Sequence, residues 1–140
     1  MHISFALFAD AANLSQEGKL NILGVFDAVQ VGQLPAMHPR AHLVVRLKGT
    51  RSDIGGHRVT LRWLNPKGNE LWSSTGDISV AAPPNGVNDL DLPMIAQLDL
   101  PLDTAGAYKM TVALDDQPAA DVKLQVRSAP PVAPMNQMMS

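Results

Sequence analysis

The sequence predicts an all-β protein, an antiparallel β-sandwich of about eight strands, and three observations support this prediction. Apolar and polar residues alternate with a period of two in several stretches, most cleanly over residues 58–63 and 108–114, as is typical of half-buried strands. Clusters of Gly, Pro, Asn and Asp separate these stretches at roughly the 8–12-residue spacing of a sandwich. No window of about 11 residues keeps a helical period without Gly or Pro interrupting it.

One motif narrows the architecture further. Residues 103–108 read Asp-x-x-Gly-x-Tyr and lead directly into the alternating strand over residues 108–114. This pattern is similar to the tyrosine corner of immunoglobulin-like sandwiches, in which the phenol bonds back to the chain just upstream. We therefore expect an immunoglobulin-like sandwich, with Tyr108 at the corner and Trp63 buried on a central strand.

The first strand is predicted from residue 3, and both of its faces are largely apolar. Turn chemistry follows at residues 10–13 and again at residues 16–18. A long apolar run then extends over residues 20–31 and is interrupted by Gly24, where we expect a β-bulge.

The remaining elements alternate with turns. Residues 35–39 are predicted as a loop, and residues 65–68, Asn-Pro-Lys-Gly, give the strongest hairpin signal, because Pro presets φ and Gly tolerates positive φ. Asp115 and Asp116 are predicted to form the turn before the last strand. The strands between these turns are predicted near residues 43–48, 58–63, 70–80, 94–100, 108–114 and 122–126.

The 140 residues fit one domain with a single core. We assign residues 1–127 to the sandwich and residues 128–140, which carry three Pro and three Met, to a C-terminal tail. A net charge of −2 gives no reason to expect a nucleic-acid or membrane partner. Charged residues make up 17% of the chain, below the ~25% typical of soluble domains, and a neutral surface is easier to cover with another subunit.

Targeting and redox signals are few. The apolar run at residues 3–9 is too short for a signal-peptide core with its cleavage site, and no segment approaches the ~20 apolar residues of a membrane helix. With no Cys, disulfides, thiolate metal sites and cysteine nucleophiles are excluded. We expect a cytoplasmic protein.

Residues 3–27, ISFALFADAANLSQEGKLNILGVFD, resemble the opening of a family of uncharacterised bacterial proteins, a domain of unknown function. The patterns His57-x-Val59-x-Leu61 and Gly106-x-Tyr108 also fit that family, so that the resemblance spans roughly residues 3–126. It implies a compact β-sandwich, and it brings no activity, cofactor or site residue with it.

No motif for catalysis or metal binding is present. The sequence has four histidines, and the pair His38 and His42 is separated by Pro39, which makes a helical metal-binding pair implausible. There is no Gly-x-Ser-x-Gly and no glycine-rich phosphate loop. We therefore expect no metal, no cofactor and no enzyme activity.

Two alternative functions remain open. A small-ligand or carbohydrate-binding sandwich would need Trp72 exposed beside polar side chains, although core packing is the ordinary use of such a residue. A small hydrolase would need Asp10, Asp27 and a histidine brought together in a cleft.

The preferred function is a non-catalytic interaction or assembly module that associates with itself or with another protein. The first two strands are apolar on both faces, so that one face can fill the core while the other needs a cover. The Met side chains of the tail are adaptable apolar anchors. The predicted interface residues are Phe5, Phe8, Ile22, Leu23, Met135 and Met138.

Overall fold

The structure, a computed structural model, describes residues 1–128. Nine strands and one short 3₁₀ helix (Arg51–Asp53) make up this part of the chain. The strands are β1 (His2–Leu14), β2 (Leu20–Phe26), β3 (Ala28–Val31), β4 (Ala36–Thr50), β5 (Gly55–Leu64), β6 (Glu70–Val80), β7 (Asp89–Leu102), β8 (Gly106–Leu114) and β9 (Gln117–Ser128).

The strands form two sheets that enclose one core. The four-stranded sheet has the order β2-β1-β4-β7 and the five-stranded sheet the order β3-β9-β8-β5-β6. All neighbours are antiparallel except β3 and β9, which are parallel. The predicted all-β sandwich is confirmed; its immunoglobulin-like character stays a prediction.

The core is built from the alternating residues that face inward from both sheets. Tyr108 and Trp63 stack with ring centroids 5.2 Å apart, and the ring of Phe8 meets Trp63 edge-on at 6.0 Å. Each of these three side chains is 0–1% exposed, and burial of an aromatic side chain contributes about 1.5–3 kcal/mol. Around them pack Leu43, Val45, Leu47, Leu100, Leu102, Met110, Val112, Leu124 and Val126.

The tyrosine corner forms as its motif predicts. The Tyr108 hydroxyl accepts from the backbone N–H of Asp103 at 2.9 Å and of Thr104 at 3.0 Å. It has two acceptors within reach for its own proton, the Thr104 carbonyl oxygen at 2.6 Å and Asp103 Oδ1 at 2.7 Å. The hydrogen bonds therefore run to residues four and five positions upstream in the chain.

The predicted hairpin at residues 65–68 is confirmed. Gly68 has a φ of +84°, and its N–H donates to the Asn65 carbonyl at 2.9 Å. The buried Asn65 side chain fixes the turn, because its Oδ1 accepts from the N–H groups of Lys67 and Asn69 at 3.0 and 2.9 Å.

Three local predictions near the N-terminus are wrong. The chain does not turn at residues 10–13, because β1 continues to Leu14 and the turn follows it, with Gly18 N–H donating to the Ser15 carbonyl. There is no bulge at Gly24, since the β1–β2 register is unbroken through it. The run over residues 20–31 is not one strand, because the chain passes at Asp27 from β2 in one sheet to β3 in the other.

Position 24 is a glycine for a reason other than a bulge. Its φ is +71°, and a Cβ built on it would lie 2.9 Å from the carboxyl carbon of Asp10, which faces it across the hairpin. The absence of a side chain therefore makes room for that of Asp10.

The loop predicted at residues 35–39 is shorter than expected. β4 begins at Ala36 and pairs with β7 from there. The pairing is interrupted between His38 and Ala41, where Arg40 has a φ of +53° and its N–H donates to Asp99 Oδ1 at 2.9 Å.

Candidate functional site

The outer faces of the two sheets differ in character. The outer face of the five-stranded sheet carries polar residues that pair across the strands. These pairs are Thr60 with Thr75 at 3.3 Å, Arg62 with Glu70 at 2.6 Å and Lys109 with Asp121 at 3.9 Å. Such a face is the normal water-exposed side of an antiparallel sheet.

The outer face of the four-stranded sheet is apolar over β1 and β2 and mixed over β4 and β7. One cross-strand row joins Leu7 to Val44 and then to Ile95. The next row joins Val25 to Ala9 and continues to the polar residues His42 and Gln97. These residues alternate with those that face the core. We call this surface the apolar face, and it comprises Phe5, Leu7, Ala9, Leu23, Val25, Val44 and Ile95.

Exposure within the apolar face varies with position. Val44 and Ala9 are 0% exposed, whereas Leu23 and Val25 of β2 are 72% and 60% exposed. Phe5, Leu7 and Ile95 are half-buried. The most exposed apolar side chains therefore lie on the outermost strand.

At one end of the apolar face two cations, Arg46 and Lys48, share one carboxylate, that of Asp91. Arg46 forms two hydrogen bonds to the Asp91 carboxylate, and Lys48 Nζ lies 3.3 Å from the same group. The Arg46 guanidinium, followed by Lys48, lowers the pKa of Asp91. This end of the face therefore keeps its charges paired.

The free edge of β2 is less protected than the edges of the other sheet-end strands. β2 contains neither Pro nor a charged residue. By contrast, β7 contains two Pro and three Asp, β6 contains Glu70 and Asp77, and β3 has only four residues. Charges, Pro and short length are the usual means of preventing edge-to-edge association.

A second polar arrangement lies at one end of the sandwich. His57 Nδ1 is 2.6 Å from Asp115 Oδ2, and His57 Nε2 is 2.6 Å from the carbonyl oxygen of Asp53. Asp115 Oδ1 accepts from the N–H of Arg58 at 2.8 Å, and the Asp53 carboxylate accepts from the N–H of Thr50 at 2.9 Å. His57 thus joins the β8–β9 turn to the 3₁₀ helix.

These contacts shift the pKa values of all three groups. The hydrogen bond to Asp115, and next the contact with the Asp53 carbonyl, raise the pKa of His57. His57 and the Arg58 N–H lower the pKa of Asp115. The Thr50 N–H and the Met1 ammonium group lower the pKa of Asp53.

Comparison with family models gives one match. The model described as a family of unknown function (DUF6941) matches residues 4–127. The chain belongs to this family. The match confirms the resemblance noted in the sequence, and a search of the curated proteins found no match to the chain.

In this DUF6941 protein the predicted interface residues do not share one location. Phe8 lies in the core, 0% exposed and stacked on Phe26 at 5.9 Å, and so it is not a surface residue. Phe5 and Leu23 lie on the apolar face, and Ile22 is half-buried on the opposite side of β2. Met135 and Met138 lie outside the described residues, as does nearly all of the predicted tail.

Trp72 of the DUF6941 chain packs against the core beside Trp63, its cross-strand partner. Its indole Nε1 is buried without a hydrogen-bond partner among residues 1–128. This position favours the core-packing interpretation of Trp72 over a ligand-stacking platform.

Within residues 1–128, no hydrogen bond or ion pair joins Asp10 or Asp27 to a histidine. Asp10 packs against Gly24, whereas the Asp27 carbonyl accepts from the N–H of Gln125 at 2.8 Å. In the same part of the chain, no group of three or more His, Asp or Glu side chains is arranged to hold a metal ion. No helix among the described residues is long and apolar enough to cross a membrane.

Proposed function

We propose that this protein is a non-catalytic interaction module that self-associates through the apolar face, with a second copy of the chain as the partner. The observation that supports the proposal is the difference between the two outer faces, since one is lined by polar pairs and the other by aliphatic and aromatic side chains. A sheet normally exposes polar residues on the side that faces water. An exposed contiguous apolar patch is typical of a protein–protein contact.

The chemistry of the apolar face suits a second copy. Among Asp, Glu, Lys and Arg, β1 contains only Asp10 and β2 contains none. Two copies can therefore meet at these strands with little repulsion between like charges. A two-fold arrangement brings the same surface of both chains together, which is the commonest form of homo-oligomer. The unprotected edge of β2 borders the same surface.

The size of the apolar face fits a modest interface. Four strands at ~4.8 Å spacing span about 19 Å, and the stretch from Phe5 to Ala11 along β1 adds about 20 Å in the other direction. The projected area is about 400 Å² per chain, and the accessible area of side chains in relief exceeds the projection. A specific interface needs roughly 500 Å² per partner, so we expect a dimer of moderate affinity.

The proposal is tested by measuring molar mass with light scattering over a range of concentrations. Val25→Glu and Leu23→Glu each place a charge on the apolar face at a position that is well exposed in the monomer, so the fold should tolerate them. Burial of an unpaired charge costs at least about 3 kcal/mol, which weakens the dimer about 100-fold. Val87→Glu makes the same change in the loop before β7, where the side chain is 42% exposed, and serves as the matched control.

Dimers in the natural chain and in Val87→Glu, with monomers in Val25→Glu and Leu23→Glu, would support the proposal. A monomeric natural chain at all concentrations would refute it. The alternative is that the chains associate through the C-terminal tail, and a full-length chain carrying both Met135→Ser and Met138→Ser tests it. If that variant is monomeric while Val25→Glu is still a dimer, the association belongs to the tail and not to the apolar face.

The proposal includes a cytoplasmic location and no nucleic-acid partner. The second of these is supported by the net charge of −2.

A further inference from the structure

The two nitrogens of the His57 ring both face hydrogen-bond acceptors. Nδ1 meets the Asp115 carboxylate and Nε2 meets the Asp53 carbonyl, each at 2.6 Å. A neutral imidazole has a single N–H and can donate to only one of them, whereas the imidazolium ion donates to both. The observed geometry is therefore that of the protonated ring.

We propose that His57 is a protonation-dependent clamp, which links the β8–β9 turn to the 3₁₀ helix through both ring nitrogens and loses this link when the ring loses its proton. The ring connects three elements, because His57 belongs to β5, Asp53 ends the 3₁₀ helix and Asp115 lies in the turn. The proposal is independent of the self-association described above.

The turn that the clamp holds is short and depends on its side-chain contacts. It consists of Asp115 and Asp116, with φ values of +48° and +65°, the pattern of a two-residue type I′ hairpin. Asp tolerates the left-handed region better than most residues but less well than Gly. Both oxygens of the Asp115 carboxylate are engaged, one by His57 and the other by the Arg58 N–H, and these bonds offset that conformational cost.

Other charged groups face His57 from each neighbouring element. They are the Met1 ammonium group and His2 from the start of the chain, Asp53 from the 3₁₀ helix, Arg58 from β5 itself, Asp77 from β6, and Asp115 and Asp116 from the turn. Asp115 and Asp53 act most strongly on the ring. The balance of these groups is acidic, which favours the imidazolium ion.

The direction of the pH effect follows from this balance. The folded-state pKa of His57 is raised above its ordinary value of 6.5, so its contribution to stability is complete below that value and is lost as the pH rises through the raised pKa. At the acid end the pKa values of Asp115 and Asp53 are lowered, so their contributions are complete above 3.8 and are lost as the pH falls through the lowered values. The clamp is therefore closed at pH values below 6.5 and opens as the pH rises through the raised pKa of His57.

Loss of the link between the turn and the 3₁₀ helix would alter a cavity that the turn borders. A cavity of about 390 Å³ lies between the first strand and the β8–β9 turn, and His57, Asp115 and Gln117 are among its lining residues. Without the proton, repulsion between the ring nitrogen lone pair and a carboxylate or carbonyl oxygen breaks one of the two contacts. The shape of this cavity is thus coupled to the His57 proton.

The test is an NMR titration of the full chain that follows the His57 ring protons together with the backbone amides of Arg58 and Asp116. We expect the ring to titrate above 6.5 and both amide signals to shift with the same midpoint. Asp115→Asn should lower the ring midpoint toward 6.5, and His57→Gln should abolish the shared step in the amide signals. His2→Gln removes a histidine at the same end of the sandwich and should leave that step unchanged.

Three results would overturn the clamp. They are a His57 ring that titrates at or below 6.5, a ring midpoint unaffected by Asp115→Asn, and amide signals that keep the shared step in His57→Gln. Because Asp115→Asn replaces a 52%-exposed side chain with one of the same shape, the test does not depend on whether the His57 variant folds.

Discussion

Replacement of Tyr108 by Phe removes one oxygen atom from the tyrosine corner and leaves the aromatic packing in place. The ring of Tyr108 is 1% exposed and stacks on Trp63 with an interplanar angle of 21°, and a phenyl ring fills the same space. The hydroxyl accepts two backbone N–H bonds, from Asp103 and Thr104, and lies within donating distance of Asp103 Oδ1 and of the Thr104 carbonyl oxygen. The variant therefore isolates the hydrogen bonds of the corner from its hydrophobic contribution.

The expected loss follows from the bonds that disappear. Each neutral hydrogen bond contributes about 1 kcal/mol net, and one to a carboxylate contributes about 1.5–3 kcal/mol. Asp103 is exposed and Thr104 half-buried, so water replaces part of what is lost. We expect Tyr108→Phe to lower the free energy of unfolding by about 2–3 kcal/mol, or the melting temperature by on the order of 10 °C for a domain of this size.

Urea unfolding followed by tryptophan fluorescence measures this loss, with an unchanged m-value as the sign that the unfolded state is the same. Thr75→Val is the matched control, because it deletes a hydroxyl whose 3.3 Å bond to Thr60 is exposed on the outer face of the five-stranded sheet. A loss in Tyr108→Phe no greater than the control, within about 0.5 kcal/mol, would refute a structural role for the corner hydroxyl.

Three further variants test packing and turn chemistry, each by urea unfolding. Gly24→Ala should lower the free energy of unfolding by about 1–3 kcal/mol, because position 24 has a positive φ and adjoins the Asp10 side chain. Gly32→Ala is the control, since position 32 has open space around it and no positive φ, and it should change stability by less than about 0.5 kcal/mol. Equal effects of the two substitutions would contradict this account. Phe8→Ala should cost about 3–5 kcal/mol, and a loss under about 1 kcal/mol would contradict its place in the core. Asn65→Asp should be less stable than the natural chain at neutral pH, because the new carboxylate faces that of Asp103, and part of the loss should be recovered in acid, where one of the two carboxyl groups binds a proton. A difference from the natural chain that is the same at neutral and at acidic pH would show that the carboxylates do not interact.

Local features of the fold were predictable from the sequence. The tyrosine corner and the hairpin at residues 65–68 depend on residues within five positions of one another, so that a short sequence motif is enough to predict them. The core strands around Trp63 and Tyr108 follow from alternation of period two for the same reason. The apolar character of the first two strands was also evident, although alternation alone did not show that Phe8 faces inward.

Features that depend on tertiary contact were not predictable. Nothing in the run over residues 20–31 shows that Asp27 separates strands of different sheets, because both halves have the same apolar composition. The contact between His57 and Asp115 spans 58 positions, and no spacing rule connects them. A lone His before a strand and a pair of Asp in a turn each have an ordinary local explanation, and only the folded chain brings them together.

The passage of the chain from one sheet to the other at Asp27 has a consequence for the order of folding. β3 pairs in parallel with β9, Val29 opposite Val126, so this contact closes a loop of 97 positions in the 140-residue chain (126 − 29). The β5–β6 and β8–β9 hairpins close over short loops and lose far less chain entropy. We therefore expect the hairpins to form first and β3 to dock last, after the folding transition state. Val29→Ala should accordingly accelerate unfolding and leave the folding rate nearly unchanged in stopped-flow measurements, whereas a slower folding rate would show that β3 joins the nucleus.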